Sequence, residues 1–279
     1  MIVITGATGH VGHALAAQLA AEGHAVRGLT RDPARATLPA GVEAAPADFS
    51  GPAGLKAAFA GADALFLNLA GVGDATEEVV TAAVRAGVTR VVMLSSGAVT
   101  DDEADDRGVI ATWHVAAERT VRAAGVEWTM LRPNMFAVNT LAYAGQIRAG
   151  DEVRAPHGDA AQAPVHERDI AAVAVRALLD DGHHGRAHRL TGPEAVTTAE
   201  QVLTIGAALG RPLRFTELSG REAAALYAHM PPQVVEEMLD ALGASVGTPP
   251  EITTTVRDVT GVPARTFAQW AADHVADFR

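Results

Sequence analysis

Cysteine is absent from the chain, lysine occurs only at Lys56, and tyrosine only at Tyr143 and Tyr227. Lack of cysteine excludes disulfides, thiolate catalysis and Cys-ligated zinc. Positive charge is also scarce: 22 Lys and Arg face 33 Asp and Glu, for a net charge of −11. That balance argues against general affinity for nucleic acid or an anionic membrane, since both reward a positive face. No uninterrupted apolar run approaches the length that spans a bilayer, and the strand-like sequence starting at Ile2 leaves no room for a signal peptide. A cytoplasmic protein without nucleic-acid or membrane partners is expected. The 279 residues contain no low-complexity tract or internal repeat, and 48% hydrophobic composition supports a substantial core.

What is present is densest at the start. Ile2-Val3-Ile4-Thr5 is a short apolar run, followed directly by Gly6-Ala7-Thr8-Gly9-His10-Val11-Gly12. A helical pattern comes next, with Val11, Leu15 and Leu19 on one face. A strand running through a glycine turn into a helix is a phosphate-binding device. The glycines permit a tight turn and close approach of a pyrophosphate, and the helix start favours the anion.

Strand and helix signals then alternate. Strand-like runs fall at 2–5, 25–30, 42–45, 63–69, 89–95 and 126–132, with helical stretches at about 10–22, 51–60, 74–86 and 112–124. Gly23, Gly61, Gly87 and Gly125 stand where helices should close, and Asp32-Pro33, Ser50 and Asp74 with Glu77 mark helix starts. This alternation predicts an α/β, Rossmann-like doubly wound parallel sheet with its ligand crevice at the carboxyl ends of the strands. After Pro133 the rhythm breaks. Residues 1–134 form the expected dinucleotide-binding domain and 135–279 a smaller, mostly helical substrate-binding portion. Within the latter, about 165–191 is expected to rejoin the first domain, through a helix from Asp169 to about Asp180 and a strand-like His188–Thr191. Thr197…Glu200 and Ser219…Glu222 read as capping boxes, and Pro231-Pro232 as another helix start.

The end of the second strand reads Thr30-Arg31-Asp32. An acidic residue there suits the ribose of NAD, whereas an arginine accommodates the extra phosphate of NADP. Arg31 therefore favours NADP(H) over NAD(H); the competing reading is a surface charge paired with Asp32.

Several segments in order resemble the NmrA-like atypical short-chain dehydrogenases/reductases. They are Thr5–Gly12, Val26-Arg27 with Thr30–Pro33, Ala47-Asp48-Phe49, Ser95-Ser96-Gly97, Leu131–Asn134 and Leu190–Glu194. The resemblance covers roughly residues 1–210. It implies that Asp48 and Phe49 flank the adenine and that Asn68, Leu69 and Ala70 line the fourth strand end. It also implies that Ser95 and Ser96 lie beside the nicotinamide, with Pro133 and Asn134 at its carboxamide. Asp48 also reads as a helix cap beside Ser50.

Short-chain dehydrogenases usually protonate the carbonyl oxygen with a tyrosine activated by a lysine four residues later. Neither tyrosine here is so placed, and the matching position reads His114-x-x-x-Glu118. That i, i+4 spacing puts both side chains on one helix face. In one reading His114 is a general acid held by Glu118, with Ser95 or Ser96 contacting the substrate oxygen. In the other the pair braces the crevice wall, and the proton comes from water or the substrate. Trp113, Met135, Phe136 and Tyr143 are candidate contacts for a flat substrate. His183, His184 and His188 read as solvated turn residues rather than metal ligands, so no metal is expected. The acidic run Asp101–Asp106 reads as a solvated loop or a lid.

These features point to an NADPH-dependent ketoreductase acting on a flat aromatic polyketide or quinone-like carbonyl. The alanine- and arginine-rich, lysine-poor composition suggests a GC-rich actinomycete genome and secondary metabolism such as antibiotic biosynthesis. The alternatives are a quinone reductase and a non-catalytic NADP-binding sensor. Either a monomer or a homodimer is compatible with the sequence.

Overall fold

The computed structural model describes residues 1–49, 52–101, 108–227 and 230–279. Seven strands form one parallel sheet: β1 (Ile2–Ile4), β2 (Val26–Thr30), β3 (Val42–Pro46), β4 (Ala64–Asn68), β5 (Arg90–Leu94), β6 (Glu127–Pro133) and, later in the chain, β9 (Arg186–Leu190). Their spatial order is β3-β2-β1-β4-β5-β6-β9. Ile4 pairs with Gly28 on one side and Phe66 on the other, and Leu131 pairs with Leu94 and His188. The order reverses between β1 and β4, which opens a crevice beyond their carboxyl ends.

Helices cover both faces. On one face α1 (His10–Ala21) packs against α6 (Glu167–Leu179), burying Val11, Leu15, Leu19, Ile170, Val173 and Ala177 over the sheet. The other face carries α2 (Pro52–Ala58), α3 (Thr76–Arg85) and α4 (Gly108–Ala123), with Leu55, Phe59, Val79, Val80, Ala117 and Val121 in a second core. Cover on both sides explains the continuous apolar strands.

After β6 the chain leaves the sheet through a 3₁₀ segment (Ala137–Tyr143), α5 (Ala144–Ala149), β7 (Glu152–Ala155) and β8 (Ala161–Gln162), then returns as α6 and β9. Beyond β9 come β10 (Val196–Thr197), α7 (Thr198–Leu209), β11 (Arg214–Glu217), α8 (Gly220–Leu226), α9 (Pro232–Ala244), α10 (Thr255–Thr260) and α11 (Phe267–Asp273). β11 pairs with β7 and β10 with β8, so this portion contains two small sheets that the sequence did not signal. A third core of Ile147, Val153, Val202, Ile205, Phe267, Trp270 and Phe278 holds it together.

Several expected helix starts differ. Asp32-Pro33 opens only a turn, in which Arg35 N–H donates to the Asp32 carbonyl at 3.3 Å. Asp74 lies in a 3₁₀ turn ahead of α3, which begins at Thr76 without a side-chain cap. The Thr197–Glu200 capping box forms, whereas the Ser219 hydroxyl meets the Glu222 carboxylate instead of a backbone N–H. The α6 start lies at Glu167, ahead of Asp169, because the His166 side chain caps it by accepting from Arg168 N–H at 3.2 Å. Ser50 and most of the acidic run after Asp101 lie outside the described residues.

Candidate active site at the carboxyl edge of the sheet

At the switch point, buried Thr5 ties β1 to β4: its hydroxyl accepts from Asn68 N–H at 2.7 Å and donates toward the Asn68 carbonyl at 3.2 Å. Gly6 follows in the left-handed region at φ 65°, where only glycine is unstrained. The loop is packed backbone on backbone. A Cβ at Gly12 would sit 2.2 Å from the Gly6 carbonyl oxygen, and one at Gly71 would sit 2.5 Å from Gly6 N. The start of α1 has no side-chain cap and no acidic residue in its first turn, and Thr8, Gly9 and His10 are exposed. With no carboxylate of its own at that positive end, the loop fits a diphosphate arriving from solution. Val11 is buried beneath it.

The other expected cofactor contacts follow around the crevice. Arg31 lies just past β2, exposed, and makes no hydrogen bond or ion pair among the described residues; the pairing with Asp32 does not form. Asp48, exposed, and Phe49, half-buried, follow β3. Past β4, Asn68 accepts from Ala70 N–H at 3.1 Å, which turns Leu69 inward and leaves Ala70 exposed. Pro133 ends β6, and the next residue, Asn134, has its side-chain oxygen held by Arg189 at 3.1 Å. Gly97 packs so closely on Asn134 that a Cβ there would lie 2.0 Å from that oxygen. The Asn134 amide is thus fixed from one side.

Under the crevice lies a charged network. Glu118, fully buried, accepts from the Ser95 hydroxyl at 2.6 Å, from Arg122 at 2.7 Å, and from Arg132 through two nitrogens at 3.0 and 2.8 Å. Arg132 is itself 4% exposed and also reaches Asp101 at 2.9 Å. Burial alone would lower the Arg132 pKa, but the bonds and charges of Glu118 and Asp101 outweigh it and raise it. Two expectations change here. Glu118 is committed to Ser95 and two arginines rather than to His114, and Ser95 turns its proton into the protein instead of toward the cleft. Ser96 is half-buried, and its oxygen accepts from Ala98 N–H at 3.1 Å, so its proton is free to donate.

His114 lies one turn before Glu118 with its ring against Trp113, centroids 5.2 Å apart. Burial lowers its pKa to about 4, against opposition from the Glu118 charge. Its Nδ1 is buried without a hydrogen-bond partner among the described residues. A neutral imidazole carries one proton, so one ring nitrogen of His114 can donate. Trp113 is 41% exposed at the rim. Met135, Phe136 and Tyr143 are half-buried along the chain leaving β6, where Val165 N–H donates to the Met135 carbonyl at 2.8 Å. Burial, with the neighbouring Tyr227, raises the Tyr143 hydroxyl well above the usual phenol range.

Arg132, Arg122 and Arg189 were not singled out as functional from the sequence. Arg132 carried a signal: a cation inside Thr129-Met-Leu-Arg-Pro of a central strand must find a buried partner. His183, His184 and His188 are not simply solvated. His183 Nδ1 lies 3.1 Å from His188 Nε2, and His184 Nδ1 accepts from Trp128 N–H at 3.1 Å. Among the described residues no group of three or more His, Asp or Glu could hold a metal, and no helix is long and apolar enough to cross a membrane.

A family model described as NAD(P)H-binding matches residues 6–181. The chain belongs to this NAD(P)H-binding family, among its NmrA-like atypical short-chain dehydrogenases/reductases, and is an NAD(P)H-dependent oxidoreductase. It is 44% identical to the (4-alkanoyl-5-oxo-2,5-dihydrofuran-3-yl)methyl phosphate reductase of Streptomyces griseus, covering 100% of this chain and 99% of the relative. It is 35% identical to the NAD(P)H azoreductase of Xenophilus azovorans, over 100% and 99% of the two chains. The crystal structure of an NADPH-dependent quinone oxidoreductase from Escherichia coli complexed with NADPH superposes with a TM-score of 0.80, at 28% identity, covering 98% and 99%.

Proposed function

We propose that the protein uses NADPH to reduce a flat, conjugated carbonyl compound, of the aromatic polyketide or quinone-like kind, in secondary metabolism. The observation that carries this reading is the proton inventory of the crevice. The Tyr-x-x-x-Lys pair is missing, Ser95 is turned to Glu118, and His114 is held neutral. An isolated ketone would become a strongly basic alkoxide and need an acid. A quinone, or an enone taking hydride at its conjugate carbon, spreads the charge as a phenolate or enolate, needs hydrogen-bond donors only and takes its proton from water. An aromatic polyketide ketone flanked by a phenol protonates its own alkoxide. Ser96 and the imidazole N–H of His114 are the donors we assign to that oxygen, with Trp113, Met135, Phe136 and Tyr143 against the flat ring. When bound, NADPH supplies the hydride; the glycine loop and Asn134 orient it. The named substrates of the relatives support this reading, because a furanone, an azo compound and a quinone are all conjugated acceptors. NADPH consumption is expected with menadione or an aromatic polyketide ketone and not with cyclohexanone. Equal kcat/KM for cyclohexanone would sink the proposal, and NADPH binding without consumption of any acceptor would favour the sensor.

Among the described residues Arg31 has no partner, which supports its holding the 2′-phosphate of NADPH. In Arg31→Ala, NADPH affinity should fall about tenfold or more, with NADH affinity unchanged; equal loss of both would assign Arg31 another role.

The pH profile tests His114. An acid titrating near pH 6.5 would make activity fall as pH rises through that value. With its pKa lowered to about 4, His114 stays neutral above that point, and kcat/KM should show no histidine inflection between about pH 5 and 8. His114→Ala should still lose about tenfold in kcat, since a donor is removed.

A further inference from the structure

Helix α9 is tied to two other parts of the chain. From the middle of the helix Glu237 accepts from Val109 N–H, in the first turn of α4, at 2.7 Å. At its C-terminal end, Gln162 donates to the Ser245 hydroxyl at 2.8 Å and Val246 bridges Ala160. The α4 contact is built closely. Gly108 has φ 92°, and a Cβ there would lie 2.4 Å from the Glu237 carboxyl carbon. The first turn of α4 contains no acidic residue of its own. Its exposed N–H groups and positive dipole end are therefore met by a carboxylate from another helix. One turn further on, the same helix presents Trp113 and His114.

We propose that Glu237 is a positioning residue for acceptor binding: by capping α4 from α9, it fixes Trp113 and His114 against the acceptor. This rests on the reading above that α4 faces the acceptor, so its test does not require turnover. Menadione affinity is measured by calorimetry on protein saturated with NADP⁺, together with hydrogen exchange of the peptide spanning 108–114. In Glu237→Ala, exchange of that peptide accelerates and menadione affinity falls about tenfold, the size of a lost helix cap, while NADP⁺ affinity is unchanged. Glu237→Gln keeps an acceptor oxygen and recovers most of the menadione affinity. Gly108→Ala displaces the carboxylate but also strains the backbone at φ 92°, so it adds a loss of its own and the two Glu237 variants decide. Exchange unchanged in Glu237→Ala overturns the cap. Faster exchange with menadione affinity within twofold makes the contact merely structural and overturns the positioning role. A wild type that binds menadione as expected yet reduces no acceptor removes the proposed function and leaves this inference standing.

Discussion

In a Gly12→Ala variant, NADPH affinity is expected to fall by more than about 100-fold, with the parallel sheet still folded. The added methyl group would lie 2.2 Å from the Gly6 carbonyl oxygen, 2.9 Å from its carbon and 3.0 Å from the Ala7 Cα. All three atoms are backbone, so no side chain can swing away. Either α1 lifts from the loop or Gly6 moves, and both spoil the surface that receives the diphosphate. Gly12 lies within α1, where alanine is the better helix former by about 1 kcal/mol. Lost binding could not then be blamed on a weakened helix. Calorimetry with NADPH, alongside circular dichroism, measures both halves, and affinity within threefold of wild type would contradict the proposed diphosphate site.

Glu118→Gln should be the most destabilising single change near the site, by about 3 kcal/mol. It leaves Arg132, 4% exposed, without its bidentate carboxylate, and Asp101 at the surface is a weak substitute. For a chain of this size that corresponds to a drop of roughly 6–12 °C in Tm. Arg132→Leu alone should also destabilise, but the double variant should lose less than the sum, since each single change takes from the other charge its best-buried partner. Additive losses by thermal unfolding would mean that the pair is not the coupled unit its geometry indicates.

The main sheet was legible because its strands are buried on both faces and stand out as continuous apolar runs closed by glycines. Each of the first six is observed within two residues of its expected span. By contrast β7, Glu152–Ala155, alternates over only four residues, and β8 and β10 have two each. Such segments carry too little pattern to distinguish from loop. Asp32-Pro33 offered a helix-start signal, but Ala34–Leu38 lacks an apolar stripe and Pro39 follows. A histidine cap such as His166 lies outside the Ser, Thr, Asp and Asn preferences by which helix starts are recognised. The glycine loop was readable from local spacing alone. The Glu118 network was not, because its members come from the end of β5, α4 and β6 and meet only when those elements pack.

Each of the two small sheets draws one strand from before β9 and one from after it. The portion proposed to hold the acceptor is therefore stitched from both flanks of a strand belonging to the main sheet. Grafting a relative's acceptor pocket onto this scaffold requires splices on either side of β9. A chimera joined only after Asn134 would mix the strand partners of β7 and β11 from two parents.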